Sequence, residues 1–235
     1  YDDSQPFPNP ERALVDPDGL LAVGGSLAPR RLLSAYRHGI FPWYSSGQPI
    51  LWWSPNPRTV LFPHHITISR SLRKTLKKGL FSVTMDSAFD MVTLRCSEPR
   101  QHQPGTWITP EMRAAYSRLH RLGYAHSVET WHGRRLVGGL YGVAIGRVFY
   151  GESMFSLMSD ASKIALVALC TQLQHWRFAF IDCQMHTEHL LRMGAEDVSR
   201  RVFLELLRRF CPLDSAVEKW RFDTGLPYAP EPELP

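Results

Sequence analysis

Apolar residues recur at helical spacing over 29–38, 70–80, 110–122, 160–176, 187–193 and 203–210, which predicts six helices. Runs of strand character occupy 81–85, 125–131, 135–144, 147–155 and 178–184, with His132-Gly133 as a turn between two of them. The order is mixed α and β: a hairpin-rich middle, then strand, helix, strand. The first 63 residues read differently. They hold ten of the 18 prolines, so turns and short elements are expected around the single helix at 29–38. Two aromatic clusters stand there, Phe41-Pro42-Trp43-Tyr44 and Leu51-Trp52-Trp53-Ser54-Pro55. They suit either a domain interface or a wall facing a ligand. The change of pattern predicts a small Pro/Trp-rich N-terminal domain at 1–57 and a larger domain at 58–235.

Composition narrows the class. Of 235 residues, 44% are hydrophobic and 21% charged, as in an ordinary folded chain. No apolar run approaches the roughly 20 residues of a bilayer crossing, and no charged-then-apolar leader opens the sequence. A cytoplasmic monomer with no membrane partner is expected. The four cysteines form no C-x-x-C pair and read as reduced, packed thiols. A net charge of +5 favours an anionic partner. Its focus is the helix at 70–80, which places Arg70, Arg73, Lys74, Lys77 and Lys78 on one face and Leu72, Leu76 and Leu80 on another. With no acidic residue interleaved, a nucleic-acid backbone suits this stripe better than a membrane surface, for which three leucines are too narrow.

Candidate chemistry lies on two strands. In 178–184, alternation puts Phe178, Phe180, Asp182 and Gln184 on one side, so a carboxylate and a carboxamide end an apolar strand. That end either builds a site or caps the next helix. In 147–155, Glu152 shares a face with Val148, Tyr150 and Met154, and an acid there must be paired, protonated or lining a pocket. Cys183, His186 and His189 near Asp182 are a weak metal motif lacking the second half of a structural zinc site. Gly151-Glu152-Ser153-Met154-Phe155 is not a nucleophile elbow, and no phosphate-cradling glycine loop occurs.

Gly39-Ile40-Phe41-Pro42-Trp43, Leu51-Trp52-Trp53-Ser54-Pro55, Gly105-Thr106-Trp107-Ile108-Thr109, Gly151-Glu152-Ser153-Met154-Phe155 and Ile181-Asp182-Cys183-Gln184 together resemble the bacterial leucyl/phenylalanyl-tRNA-protein transferase family. The resemblance implies an α+β fold, with a GNAT-like (acyl-CoA N-acyltransferase-like) C-terminal domain beside a small N-terminal α/β domain. It implies transfer of leucine or phenylalanine, less readily methionine, from aminoacyl-tRNA to the N-terminal amine of proteins that begin with Arg or Lys, marking them for N-end-rule degradation. It implies catalysis by Asp182 and Gln184, acceptor-peptide binding by Glu152, and tRNA binding by the basic helix. The implied aminoacyl pocket is Trp43, Trp107, Leu140, Phe149, Met154, Leu166 and Leu173. Simple alternation puts Phe149 and Met154 on opposite faces, so a bulge at Gly151 is expected.

Two positions depart from the family pattern: Thr187 stands where Asn is usual, and the loop Leu157-Met158-Ser159-Asp160-Ala161-Ser162 lacks the glycines of a coenzyme A site. No metal, ATP or coenzyme A is expected, because an ester-to-amide exchange runs downhill. The expected chemistry has Asp182 deprotonating the amine, directly or through Gln184, with the Gln184 amide facing the oxyanion. The rivals are an acetyl-CoA-dependent acetyltransferase and a non-catalytic RNA-binding module.

Overall fold

The computed structural model describes residues 5–99, 106–214 and 219–226; Gly105 of the third motif lies outside them. The N-terminal part carries β1 (Leu20–Val23), α1 (Pro29–Arg37), β2 (Phe41–Pro42) and β3 (Leu51–Trp53), its strands ordered β1-β3-β2. There follow β4 (Arg58–Leu61), α2 (Arg70–Lys77), β5 (Ser82–Met85), α3 (Phe89–Ser97), α4 (Pro110–Arg121), β6 (Ala125–His132), β7 (Arg135–Ile145) and β8 (Val148–Ser156). The rest is α5 (Ala161–His175), β9 (Phe180–Gln184), α6 (Glu188–Arg192), β10 (Glu196–Val198) and α7 (Arg200–Phe210). The large sheet runs β10-β4-β9-β8-β7-β6-β5, so the mixed α and β order expected from the pattern and the α+β class implied by the resemblance are the ones observed.

Each face of that sheet is covered by apolar residues. On one side, Leu32, Tyr36 and Trp52 from the N-terminal part pack with Val92, Tyr116 and Phe203 against Tyr141 and Tyr150. On the other lies α5, apolar almost all round because it is buried on most sides, together with Leu72 of α2, against Leu140, Phe149 and Ile181. Close approach of α5 to β7 needs Gly138, where a Cβ would stand 2.5 Å from that of Ala161.

Helix ends follow local chemistry: Ser69, Thr109, Thr187 and Ser199 each accept a backbone N–H of the first turn. The last of these starts α7 three residues ahead of the predicted 203. Helix α2 stops at Lys77, and Leu80, expected on its apolar face, is 49% exposed. Helix α3 and strands β4 and β10 were not predicted. Helix α3 has no side-chain cap of its own; the buried Glu129 carboxylate on β6 accepts the N–H groups of Ser87 and Ala88 at its start.

Two irregularities shape the interior. Between β7 and β8 the register runs Tyr141↔Ser153 and then Gly142↔Gly151, so Glu152 is the extra residue of a β-bulge. The bulge foreseen at Gly151 is therefore present, one residue on. Strands β8 and β9 pair in parallel through Val148↔Phe180, Phe149↔Ile181 and Tyr150↔Asp182, and pairing stops there although both strands continue. The sheet parts at the bulge, and the parting exposes side chains from both faces.

Candidate active site

A cavity of about 1340 Å³ opens at this parting. Its apolar wall comprises Leu140, Phe149, Met154, Leu166, Leu169 and Ile181; Trp43 and Trp53 line it from the N-terminal part and Trp107 from the segment before α4. The bulge lets Phe149 and Met154 face one space, which strict alternation forbids. Six of the seven predicted pocket residues line the cavity. Leu173 does not: it is fully buried in the core, two turns further along α5 from Leu166. Trp43 stands 38% exposed, its ring edge-on to Trp53 at 5.6 Å.

Polar groups gather where the strands separate. Glu152 and Gln184 line the cavity, each 8% exposed. The Gln184 amide Nε2 donates to Glu152 Oε1 at 2.9 Å. Tyr36 of α1 donates to the same oxygen at 2.8 Å, Tyr116 of α4 donates to Oε2 at 2.6 Å, and the two hydroxyls lie 2.6 Å apart. Burial pushes the Glu152 carboxyl up to about 7, outweighing these hydrogen bonds. Burial first, and then the Glu152 charge, holds both tyrosines well above their ordinary value. The Tyr141 hydroxyl is buried beside them with no hydrogen-bond partner among the described residues.

Asp182 is placed otherwise than its expected task requires. It is fully buried, does not line the cavity, and is held by Arg58 through two parallel bonds, Nε to Oδ1 at 2.8 Å and Nη2 to Oδ2 at 2.7 Å. Arg58 is itself fully buried between the rings of Phe41 and Phe203. Asp182 Oδ1 also accepts the backbone N–H of Gln184 at 2.9 Å, fixing that residue at φ +64°, in the left-handed region. Direct deprotonation of an amine by Asp182 is thus corrected: both carboxylate oxygens are held by the buried guanidinium and the side chain does not line the cavity. It positions Gln184.

The basic stripe is intact at the surface. Arg70, Arg73, Lys74, Lys77 and Lys78 are all exposed, and among the described residues none forms an ion pair. Thr187 lines the cavity, and its hydroxyl oxygen accepts the Leu190 N–H, starting α6. The weak metal motif comes apart: Asp182 faces Arg58 and His186 pairs with Asp197 at 2.7 Å. Among the described residues no group of three metal-ligating side chains converges, no helix is long and apolar enough to cross a membrane, and all four cysteines are free. Sequence reasoning missed Arg58, Tyr36 and Tyr116. Its one signal was the need of a buried acid for partners, which names no partner.

The family model described as leucyl/phenylalanyl-tRNA protein transferase matches residues 60–208, and that of its N-terminal domain matches 25–56. A leucyl/phenylalanyl-tRNA–protein transferase of Aromatoleum aromaticum is 63% identical over 197 residues, 84% of this chain and 83% of that one. One from Nitrosomonas europaea is 57% identical over 227 residues, 97% and 96% of the two chains. Among solved structures, a GCN5-related N-acetyltransferase from Kribbella flavida aligns with TM-score 0.36 at 12% identity, covering 73% of this chain and 61% of that one. L-PGS from Bacillus licheniformis aligns with TM-score 0.37 at 10% identity, covering 67% and 52%.

Proposed function

We propose, since this chain belongs to the leucyl/phenylalanyl-tRNA-protein transferase family of aminoacyltransferases, that its cavity moves leucine or phenylalanine, less readily methionine, from aminoacyl-tRNA to the N-terminal α-amine of proteins beginning with Arg or Lys. The products would be marked for N-end-rule degradation. The observation that carries the reading is the meeting of an apolar wall with Glu152 and Gln184 at one point of the sheet. An apolar side chain unbranched at Cβ can occupy the wall of Leu140, Phe149, Met154 and Leu166 while its ester carbonyl stays near the polar pair. A β-branched residue carries its extra carbon next to the reacting centre, where room is least.

The work required is positioning and charge handling, because an ester gives way to a more stable amide. No ATP, metal or coenzyme A enters the scheme. Gln184, fixed by Asp182 and through it by Arg58, offers its amide to the developing oxyanion. Glu152 receives the cationic N-terminus of the acceptor. The four cations of α2, with Lys78 at its C-terminal end, follow the phosphates of the tRNA acceptor stem, giving affinity that falls as salt rises. The protein acts as a monomer in the cytoplasm.

The test is to mix the protein with phenylalanyl-tRNA and two peptides, one beginning with Arg and the other acetylated on that Arg, and follow mass. A gain of one phenylalanine by the free-amine peptide alone is expected. No gain by either peptide, with charged tRNA still bound, would leave an RNA-binding protein.

A further inference from the structure

Three oxygen-to-oxygen contacts join Tyr36, Tyr116 and Glu152 in a closed triangle: 2.6 Å between the hydroxyls, 2.8 Å to Oε1 and 2.6 Å to Oε2. Each contact is short enough to need a proton between its oxygens. The two tyrosines supply two protons, and three are required. With Glu152 ionised, one contact is left as oxygen against oxygen. With Glu152 protonated the ring closes in one sense: Glu152 Oε2 donates to Tyr116, Tyr116 to Tyr36, and Tyr36 to Oε1, which also accepts from Gln184. The triangle is therefore a site that holds one exchangeable proton, and it opens on the cavity through Glu152.

We propose that Glu152, closed into this ring by Tyr36 and Tyr116, is the proton shuttle of the transfer as well as the group that meets the acceptor amine. The inference rests on the aminoacyl-transfer reading above. Ionised Glu152 takes a proton from the acceptor ammonium, and the neutral nitrogen attacks the ester carbonyl carbon to form the C–N bond. As the C–O bond to the ribose breaks, the proton on Glu152 passes to the departing ribose oxygen. The second proton of the former ammonium nitrogen goes to the re-ionised Glu152 and thence to water. Peptide, tRNA with a free hydroxyl and one released proton balance the starting ammonium and ester.

The geometry excludes the other carboxylate from this task, since both Asp182 oxygens are occupied by Arg58. The elements packed around Glu152 present Tyr36 from α1, Tyr116 from α4, Tyr141 from β7, and Asp182 with its partner Arg58 from β9 and β4. Arg113 of α4 also stands nearby and acts on Tyr141, but the groups acting most strongly on Glu152 are the two tyrosines, Asp182 and Gln184, with no cation among them. A carboxyl poised near neutrality also suits an N-terminal amine, whose own pKa is about 7.7–8.0.

Glu152→Gln is the informative variant, because glutamine reproduces the protonated ring: Nε2 donates to Tyr116 while Oε1 accepts from Tyr36 and Gln184. The fold is kept and the shuttle is lost. Single-turnover transfer from phenylalanyl-tRNA to saturating Arg-initiated peptide is measured between about pH 5.5 and 9.5, spanning both groups. Expected are a fall of about 100-fold or more in the saturated rate, and a half-maximal pH moved up to that of the free amine. Tyr116→Phe, which keeps the carboxylate but removes a donor to its ionised form, should shift the wild-type half-maximal pH upward. An anchoring role alone would raise KM and leave the saturated rate and its pH midpoint unchanged, and that result overturns the shuttle. If the wild-type protein itself transfers nothing at any pH, the aminoacyl-transfer reading fails instead.

Discussion

Removing the Arg58 side chain from beneath Asp182 tests whether the two act as one buried unit. In Arg58→Met the aliphatic stem is kept and the charge is lost, leaving a fully buried carboxylate with only the Gln184 N–H to satisfy it. Breaking one side of a buried pair costs about 3–5 kcal/mol. Loss of the guanidinium's contacts with the Phe41 and Phe203 rings, at 4.7 and 4.6 Å, adds to this. At roughly 2–4 °C per kcal/mol for a domain of this size, Tm should fall by about 6–20 °C. Asp182→Leu alone should cost a similar amount by stranding the guanidinium. The double variant Arg58→Met/Asp182→Leu replaces an ion pair by apolar groups and should recover more than half of the summed losses. Transfer activity should not recover with it, because Gln184 has lost the acceptor that fixes its backbone. Thermal unfolding of the four proteins, with transfer measured on each, closes the cycle. Strict additivity of the two losses, or full activity in the refolded double variant, would refute the reasoning.

Other outcomes follow from the same geometry. Glu152 has a folded value near 7 against an ordinary 4.5, so the folded state binds its proton more tightly and Glu152 costs stability as pH rises from about 4.5 to 7, by about 3 kcal/mol in all. Glu152→Gln should therefore unfold at a higher temperature than wild type at pH 8 and at about the same temperature near pH 4.5, as scanning calorimetry can read. Replacing Lys74, Lys77 and Lys78 together with Ala should leave Tm nearly unchanged, since all three are exposed, while reducing the slope of log affinity for tRNA against log salt by about three. Leu173→Ala should cost about 2–5 kcal/mol in denaturant unfolding without altering discrimination between leucyl- and phenylalanyl-tRNA, because Leu173 underlies the cavity without lining it. Leu166→Phe should favour leucine over phenylalanine by narrowing the wall.

The sequence was most legible where periodicity is regular. Helices α4 and α5 and strands β6, β7 and β8 lie within a residue or two of their expected bounds, because long amphipathic or buried runs advertise themselves. Helix α3 was not, because the group serving its N-terminus, Glu129, arrives from a strand some forty residues on. Strands β4 and β10 are short and take their extended form from pairing with each other and with β9. At the site, the conflict between Phe149 and Met154 under simple alternation points to a bulge at Gly151, one residue from where it lies. The partners of Asp182 and Glu152 stayed hidden: Arg58 lies 124 residues from Asp182, and Tyr36 lies 116 from Glu152. Local pattern carries no record of contacts closed over such distances, so the partners of each acid could be read only from the fold.

The proposed transfer requires that the aminoacyl group enter this cavity with its carbonyl at Gln184 and Glu152. The most direct measurement is a crystal structure of the protein with a phenylalanyl-adenosine analogue in which a stable amide replaces the ester. The phenyl ring should lie among Leu140, Phe149, Met154 and Leu166, with the carbonyl within hydrogen-bond reach of the Gln184 amide. A phenyl ring bound elsewhere, with Glu152 and Gln184 facing only solvent, would contradict the account.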